Sequence, residues 1–120
     1  MSQEIKNELG SVHISEDVIS VVAALAAMEC YGLVGMASRR VKDGLAELLG
    51  RDNIRKGVTV SLEEDTLVVE LNIIVEYGIN ISEVANNIID RVNYAIQKAT
   101  GVEADRIQIN VQGVRIGNAS

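Results

Sequence analysis

Proline, phenylalanine and tryptophan are absent from this 120-residue chain, and only three tyrosines occur. With so few aromatic rings, the 48% of residues that are hydrophobic must build an aliphatic core from Val, Ile, Leu and Ala. The absence of proline and of any linker-like tract, at this length, predicts a single domain. One cysteine, Cys30, and one histidine, His13, exclude an internal disulfide and a structural zinc site within one chain.

Long hydrophobic runs are also missing from the sequence. The longest apolar run, Val18 to Met28, is shorter than the roughly 20 residues that a membrane-spanning helix needs. Residues 1–10 are polar and charged, unlike a signal sequence, and a lone cysteine is consistent with a reducing compartment. We therefore expect a cytoplasmic protein that lies at the membrane, if at all, through a partner.

Acidic residues outnumber basic ones by 17 to 11, which gives a formal net charge of -6. The long-range field of such a chain repels nucleic-acid phosphates and anionic lipid head groups. The exception is segment 39–56, which holds six basic residues against three acidic ones. The overall charge therefore disfavours nucleic acid as a partner, and an acidic partner is expected to bind at this segment.

Hydrophobic periodicity predicts the order strand, helix, helix, strand, strand, helix, strand. The first strand and helix are expected at 10–14 and 16–30, and the second helix at 38–49. A hairpin follows over 58–75, then an amphipathic helix whose apolar stripe runs from Val84 to Ala99, and a last strand from Ile107. This order predicts a two-layer α+β domain with helices packed on a mixed or antiparallel sheet.

Small polar residues and glycines set the expected boundaries. Ser15 and Ser82 are the expected N-caps, Gly50 and Gly101 end the second and third helices, and Gly113 marks a bulge. The domain is expected to span residues 10–117, between a flexible N-terminus at 1–9 and a short tail at 118–120.

Short aliphatic and glycine patterns follow one another in a specific order along the chain. They are Gly10–Ser15 with Asp17–Ile19, Gly32–Met36, Gly57–Val60, Val75–Gly78, Thr100–Val102 and Ile107–Val111. Together they resemble the alkaline shock protein family of Gram-positive bacteria over about Gly10 to Val114. The resemblance implies a cytoplasmic protein of the envelope or alkaline stress response, able to self-associate and held near the membrane by a separate anchor protein. It implies no catalytic residues.

The first predicted helix is apolar nearly all round between Val18 and Met28, unlike a helix with one solvated face. A chain of this size cannot surround such a helix completely. We therefore expect a homo-oligomer that forms through this helix, with Ala23 and Ala27 at the contact.

The segment from Gly32 to Gly35 has two interpretations. Between two helices it is similar to the G-x-x-G loop of KH domains, which clamps a nucleic-acid backbone, so a KH-like single-stranded RNA-binding module is the alternative function. The apolar loop interior and the scarcity of aromatic rings for base stacking instead favour a tight interhelix turn. The candidate interface for a protein partner consists of Leu33, Val34, Arg39, Arg40 and Lys42.

Two other groupings have chemical interpretations that we consider less favourable. Cys30 and His13 could form a nucleophile and its base, but no third orienting group or oxyanion hole is evident. Three adjacent carboxylates, Glu63, Glu64 and Asp65, match no calcium-loop pattern and are better explained as a charged hairpin turn. The sequence therefore predicts no catalytic, cofactor-binding or metal-binding residue.

Overall fold

The computed structural model describes residues 2–38 and 47–116. The elements are β1 (Ser2–Asn7), β2 (Gly10–Ser15), α1 (Glu16–Met28), β3 (Leu33–Met36), a 3₁₀ helix (Arg51–Gly57), β4 (Val58–Glu63), β5 (Thr66–Glu76), α2 (Ile81–Thr100) and β6 (Arg106–Arg115). Two helices pack on one face of a sheet, and the predicted α+β class is confirmed.

The sheet is organised around β5, whose 11 residues form its central strand. β3 and β4 pair antiparallel with successive halves of one edge of β5, and β6 pairs parallel with the other edge. Alternate residues of β5 face the helices and are at most 2% exposed, as expected for a strand with one face in the core. They are Leu67, Val69, Leu71, Ile73 and Val75.

The two helices lie side by side on this face, over different strands of the sheet. α1 contacts β3, β4 and the 3₁₀ helix, whereas α2 contacts α1 and β6. The buried side of α1 is mostly alanine, which lets the helix lie close to the sheet. The buried side of α2 carries larger residues at a spacing of four, namely Val84, Ile88, Val92 and Ile96.

Helix capping confirms two of the predicted boundaries and corrects one. The Ser15 hydroxyl accepts a hydrogen bond from the Val18 N–H at 3.4 Å, and Gly101 ends α2 with φ +77°. The N-cap of α2 is Asn80, not Ser82, because the Asn80 carboxamide oxygen accepts from the Glu83 N–H at 3.0 Å.

The predicted bulge at Gly113 is also present. Val111 pairs with Ile73 and Gly113 with Ile74, so Gln112 is the additional residue on β6. The bulge explains why the apolar positions of β6 change parity between Val111 and Val114.

Most of the predicted second helix, residues 39–46, lies outside the described residues. Its last residues are not helical: Leu48 forms an antiparallel bridge with Ala37, and the Leu49 N–H donates to the Met36 carbonyl at 2.8 Å. Gly50 is therefore not a helix C-cap; it is extended and precedes the 3₁₀ helix. Pairing with the chain after β3 outweighs the helical spacing of the leucines.

The expected turn between Gly32 and Gly35 is wrong, because residues 33–36 form β3. Pairing of this segment with β5 places Met36 in the core, where it is fully buried beside Ile73. Gly35 leaves room for Leu48, whose Cδ1 would lie 2.9 Å from a Cβ at this position. No G-x-x-G loop of the KH type is formed here.

The N-terminus is structured where the sequence predicted flexibility. Residues 2–7 form β1, which pairs antiparallel with β2 from Ser2↔Ser15 to Asn7↔Gly10. Within the described part of the chain this hairpin joins no other strand. The described chain has extents of 55 × 28 × 24 Å.

Candidate protein-interaction surface

The solvent-facing side of α1 carries an apolar stripe. Val18, Val21, Leu25 and Met28 are 46%, 39%, 55% and 41% exposed, and we call these four residues the α1 stripe. Their spacing of three and four residues places them on one face of the helix. α1 therefore has two apolar faces, and the core covers only one of them.

Ala23 and Ala27 lie on the covered face, contrary to their predicted place at an interface. Both are 0% exposed and belong to the hydrophobic core. The sequence showed that α1 is apolar all round, but it did not show which side faces the sheet. The small side chains pack inward because the helix approaches the sheet closely, so a partner of α1 would contact the α1 stripe.

A shallow groove of 340 Å³ between α1 and α2 continues the α1 stripe. Its apolar wall is formed by Val22 and Leu25 of α1 and by Ala95 and Ala99 of α2. Tyr94 lies at the border, with the Lys98 ammonium 5.7 Å from its ring centroid. The exposed apolar surface therefore extends from α1 toward α2, where its rim becomes polar.

Each end of α1 is linked to another element by an ion pair. Asp17 lies 3.5 Å from the Arg55 guanidinium, and Glu29 lies 3.2 Å from that of Arg91. All four side chains are largely exposed, so each pair contributes at most about 1 kcal/mol. The ion pairs place charged groups at both ends of the α1 stripe and so limit its length.

Cys30 lies just beyond α1, at the end of a second pocket that also includes Tyr31, Asp90 and Arg91. Burial raises the pKa of its thiol, the Arg91 charge acts in the opposite direction, and Glu29 raises the pKa further. The Cys30 thiol donates to the Ala26 carbonyl at 3.7 Å. The group is therefore a protonated thiol at neutral pH and not an activated nucleophile.

His13 lies in β2, where it contacts Glu4 at 3.1 Å and Ser11 at 3.4 Å. No contact between His13 and Cys30 occurs among the residues that the structure describes. The nucleophile-and-base interpretation of these two residues therefore has no support in the geometry.

The predicted partner interface is only partly described. Leu33 and Val34 are half-buried in β3, and Leu33 packs against the core. Arg39, Arg40 and Lys42 lie outside the described residues. The predicted interface at these five residues therefore stays a prediction.

The carboxylates Glu63, Glu64 and Asp65 lie at the β4–β5 hairpin turn, as predicted. Glu64 and Asp65 have φ of 49° and 66°, the left-handed values that a tight hairpin turn requires. Across residues 2–38 and 47–116, no group of three His, Cys, Asp or Glu side chains is placed to hold a metal ion.

A network of polar side chains on the outer face of the sheet was not foreseen. Glu70 accepts hydrogen bonds from Asn110 at 2.7 Å and from Gln108 at 3.3 Å. Asn72 accepts from Gln112 at 2.9 Å and from Asn110 at 3.2 Å. We call these five residues the amide cluster. The alternation of β6 predicted a polar face, but not that β5 would supply the acceptors.

These features define the class of protein: an α+β domain with an apolar helical surface on one side and a hydrogen-bonded polar sheet on the other. Neither helix in the described part of the chain combines the length and apolar character needed to cross a bilayer.

Comparison with known proteins identifies the family. The model of the alkaline shock protein family, described as having a cell envelope-related function, matches residues 4–116. The chain therefore belongs to the alkaline shock protein family that its sequence resembles. The match begins within β1, so it includes residues that the sequence had assigned to a flexible N-terminus.

Relatives extend along nearly the whole chain. It is 44% identical to the uncharacterized protein YloU of Bacillus subtilis (strain 168), over 98% of this chain and 99% of the relative. It is 35% identical to the uncharacterized protein Spy1614 of Streptococcus pyogenes serotype M6, over 97% of both chains. The uncharacterized protein YqhY of Bacillus subtilis is 30% identical over 89% of this chain and 78% of its own. No solved structure matches the chain significantly.

Proposed function

We propose that this chain is a non-enzymatic protein-binding module of the cell-envelope stress response. It self-associates, and it reaches the envelope by docking on a membrane-anchor protein. The docking surface is the α1 stripe with the adjoining groove between α1 and α2. The observation that carries this proposal is the α1 stripe, an exposed apolar face on a helix whose opposite face already fills the core.

The energetics of the α1 stripe favour an occupant. Scattered exposed aliphatic residues are normal on protein surfaces, but a contiguous apolar face is typical of an interaction site. Covering one half-exposed Val or Leu contributes about 1–2 kcal/mol at the usual value per unit area. Four such residues on one face supply a substantial part of the free energy of a specific complex, and the charged pairs at both ends favour one position along the helix.

The family supplies the cellular context. Its described function is related to the cell envelope. A protein partner is consistent with both that context and the exposed apolar face. An anionic lipid surface is a poorer partner, because the chain has a net charge of -6 and the arginines beside the α1 stripe are balanced by Asp17 and Glu29. An apolar helix or loop of a membrane-anchored protein has the required chemistry.

The test replaces Leu25 by Glu, which puts a charge in the middle of the α1 stripe. We expect Leu25→Glu to move most of the chain from the membrane fraction to the supernatant of lysed native cells. Leu9→Glu is the matched control, because Leu9 is 100% exposed at the β1–β2 turn and lies outside the surface. Retention of Leu25→Glu at the wild-type level, with both variants folded by circular dichroism, would contradict the proposed docking surface.

A further inference from the structure

The outer edge of β6 is a ten-residue strand edge without a partner in the described part of the chain. Proteins usually protect such edges with lysine, proline, inward-pointing charges or very short strands. Between Arg106 and Arg115 the sequence is Ile-Gln-Ile-Asn-Val-Gln-Gly-Val, which has no charge and no proline. Among the described residues, the bulge at Gln112 and Gly113 is the one protective feature of this edge, and residues 106–111 before it pair regularly with β5.

The side chains on both faces of β6 are compatible with a further strand that pairs with its outer edge. On the face toward the helices, Val111 and Val114 remain 37% and 47% exposed beyond the cover of α2. On the outer face, Glu70 and Asn72 of β5 hold the carboxamides of Gln108, Asn110 and Gln112 in place. The edge is therefore ordered before any partner binds, which lowers the entropy that pairing must offset.

We propose that β6 pairs antiparallel with β6 of a second copy, around a two-fold axis at Asn110. The two sheets then become one continuous sheet through the dimer. This inference rests on the proposed function, because it specifies how the self-association that we propose takes place.

The sequence of β6 is complementary to itself in this register. Residues directly opposite each other in an antiparallel pair point to the same face. Gln108 then lies opposite Gln112 and Asn110 opposite its own copy, on the outer face. Ile109 lies opposite Val111 on the helix-facing side. A shift by one residue would place carboxamides against aliphatic side chains, which disfavours it.

The boundaries of β6 also favour this register. Pairing of 108–112 with itself leaves Arg106, Gly113 and Arg115 outside the paired residues and places Gln112, the additional residue of the bulge, at the end of the paired segment. No acidic residue occurs between Arg106 and Ser120, in a chain with a net charge of -6. Two copies therefore approach along a segment where their overall negative charge causes little repulsion.

The first experiment compares two double variants at the same positions by sedimentation equilibrium. Gln108→Lys with Gln112→Lys places like charges opposite each other across the dimer, and Gln108→Lys with Gln112→Glu places opposite charges there. We expect the first variant to dissociate at least about tenfold more readily than the second, from the energies of cross-strand charge pairs. Equal dimerisation of the two folded variants, or a wild-type chain that stays monomeric at millimolar concentration, overturns the proposal.

The second experiment tests the position of the axis with a cysteine. In a Cys30→Ser background, Asn110→Cys brings two thiols to opposite positions whose Cβ atoms lie about 4.5–5.5 Å apart, which is close to disulfide geometry. We expect mild oxidation to give a covalent dimer in good yield. Ser61→Cys, on β4 across the sheet from β6, is the matched control. The same yield from both variants would overturn the assignment of the axis.

The two surfaces are separable by these variants. We expect Leu25→Glu to dimerise normally while it leaves the membrane fraction, and the double-lysine variant to stay in the membrane fraction as a monomer. Loss of dimers in Leu25→Glu but not in the double-lysine variant would show that α1 mediates self-association, and the β6 proposal would then be wrong. Membrane retention of Leu25→Glu would contradict the docking proposal whatever happens at β6.

Discussion

The two helices of this domain pack side by side on the same sheet, yet their outward faces differ. α2 presents Glu83, Asn87, Asp90 and Lys98 to solvent, whereas α1 presents the α1 stripe. Both helices bury enough apolar surface to hold the fold together. A helix packed on this sheet therefore needs only one apolar face, as in α2. The additional apolar face of α1 indicates a second, intermolecular role.

The largest expected effect comes from placing the same charge on each of the two faces of α1 in turn. Ala23→Glu should lower the free energy of unfolding by about 3–5 kcal/mol, because it buries a carboxylate in a cluster of hydrophobic side chains. Leu25→Glu should change it by less than about 1 kcal/mol, as is usual for surface positions. Urea denaturation followed by circular dichroism measures both. Comparable losses in the two variants would show that the faces are not distinct.

The next effect compares two residues at the N-terminus of α2, the observed N-cap Asn80 and the predicted N-cap Ser82. Asn80→Ala should destabilise the domain by about 1 kcal/mol, because it removes the acceptor for the Glu83 N–H. Ser82→Ala should cost only a small fraction of that amount, since Ser82 lies inside the first turn of α2. Thermal unfolding distinguishes the two variants. A larger loss for Ser82→Ala would support the N-cap predicted from the sequence.

The smallest expected effect concerns the reactivity of Cys30, which lies just beyond α1 and shares a pocket with Arg91 of α2. Because burial raises the pKa of Cys30 above its ordinary value of 9.0, the thiolate fraction near neutral pH is reduced. Cys30 should therefore react with a thiol reagent more slowly than an unfolded cysteine, with its midpoint at higher pH. Arg91→Ala should move the midpoint higher still, because the Arg91 charge favours the thiolate. A downward shift in Arg91→Ala would contradict this arrangement.

The sequence predicted the elements that have strong local signals. The alternation of β4 and β5, the stripe of α2 and the N-cap at Ser15 depend on neighbouring residues, and all three are confirmed. The error at β3 arises from distant pairing, whereas the error at β1 does not, because β1 pairs with the adjacent β2. β3 has few residues and two glycines nearby, and it becomes a strand because β5 supplies a partner far along the chain.

The sequence predicted that α1 is apolar on all sides and assigned it to self-association, whereas it placed the partner interface at Leu33, Val34, Arg39, Arg40 and Lys42. Because α1 is apolar on all sides, the sequence indicated that one of its faces is available for contacts outside the core. The choice of Ala23 and Ala27 was wrong because the side that faces the sheet depends on tertiary packing, where small residues allow close approach. The amide cluster could not be foreseen, since most of its hydrogen bonds join side chains of β6 to acceptors on β5.

The central position of β5 also affects how the domain folds. The β4–β5 hairpin can form locally, because its two strands are joined by the tight turn at Glu64 and Asp65. β3 and β6 must each find β5 across long segments of chain, which carries a larger loop-closure entropy than the short turn of the hairpin. The hairpin is therefore the natural nucleus. β6, whose outer edge has no partner strand among the described residues, is expected to join late, so both of its edges and the β5 edge that it pairs with are exposed together during folding.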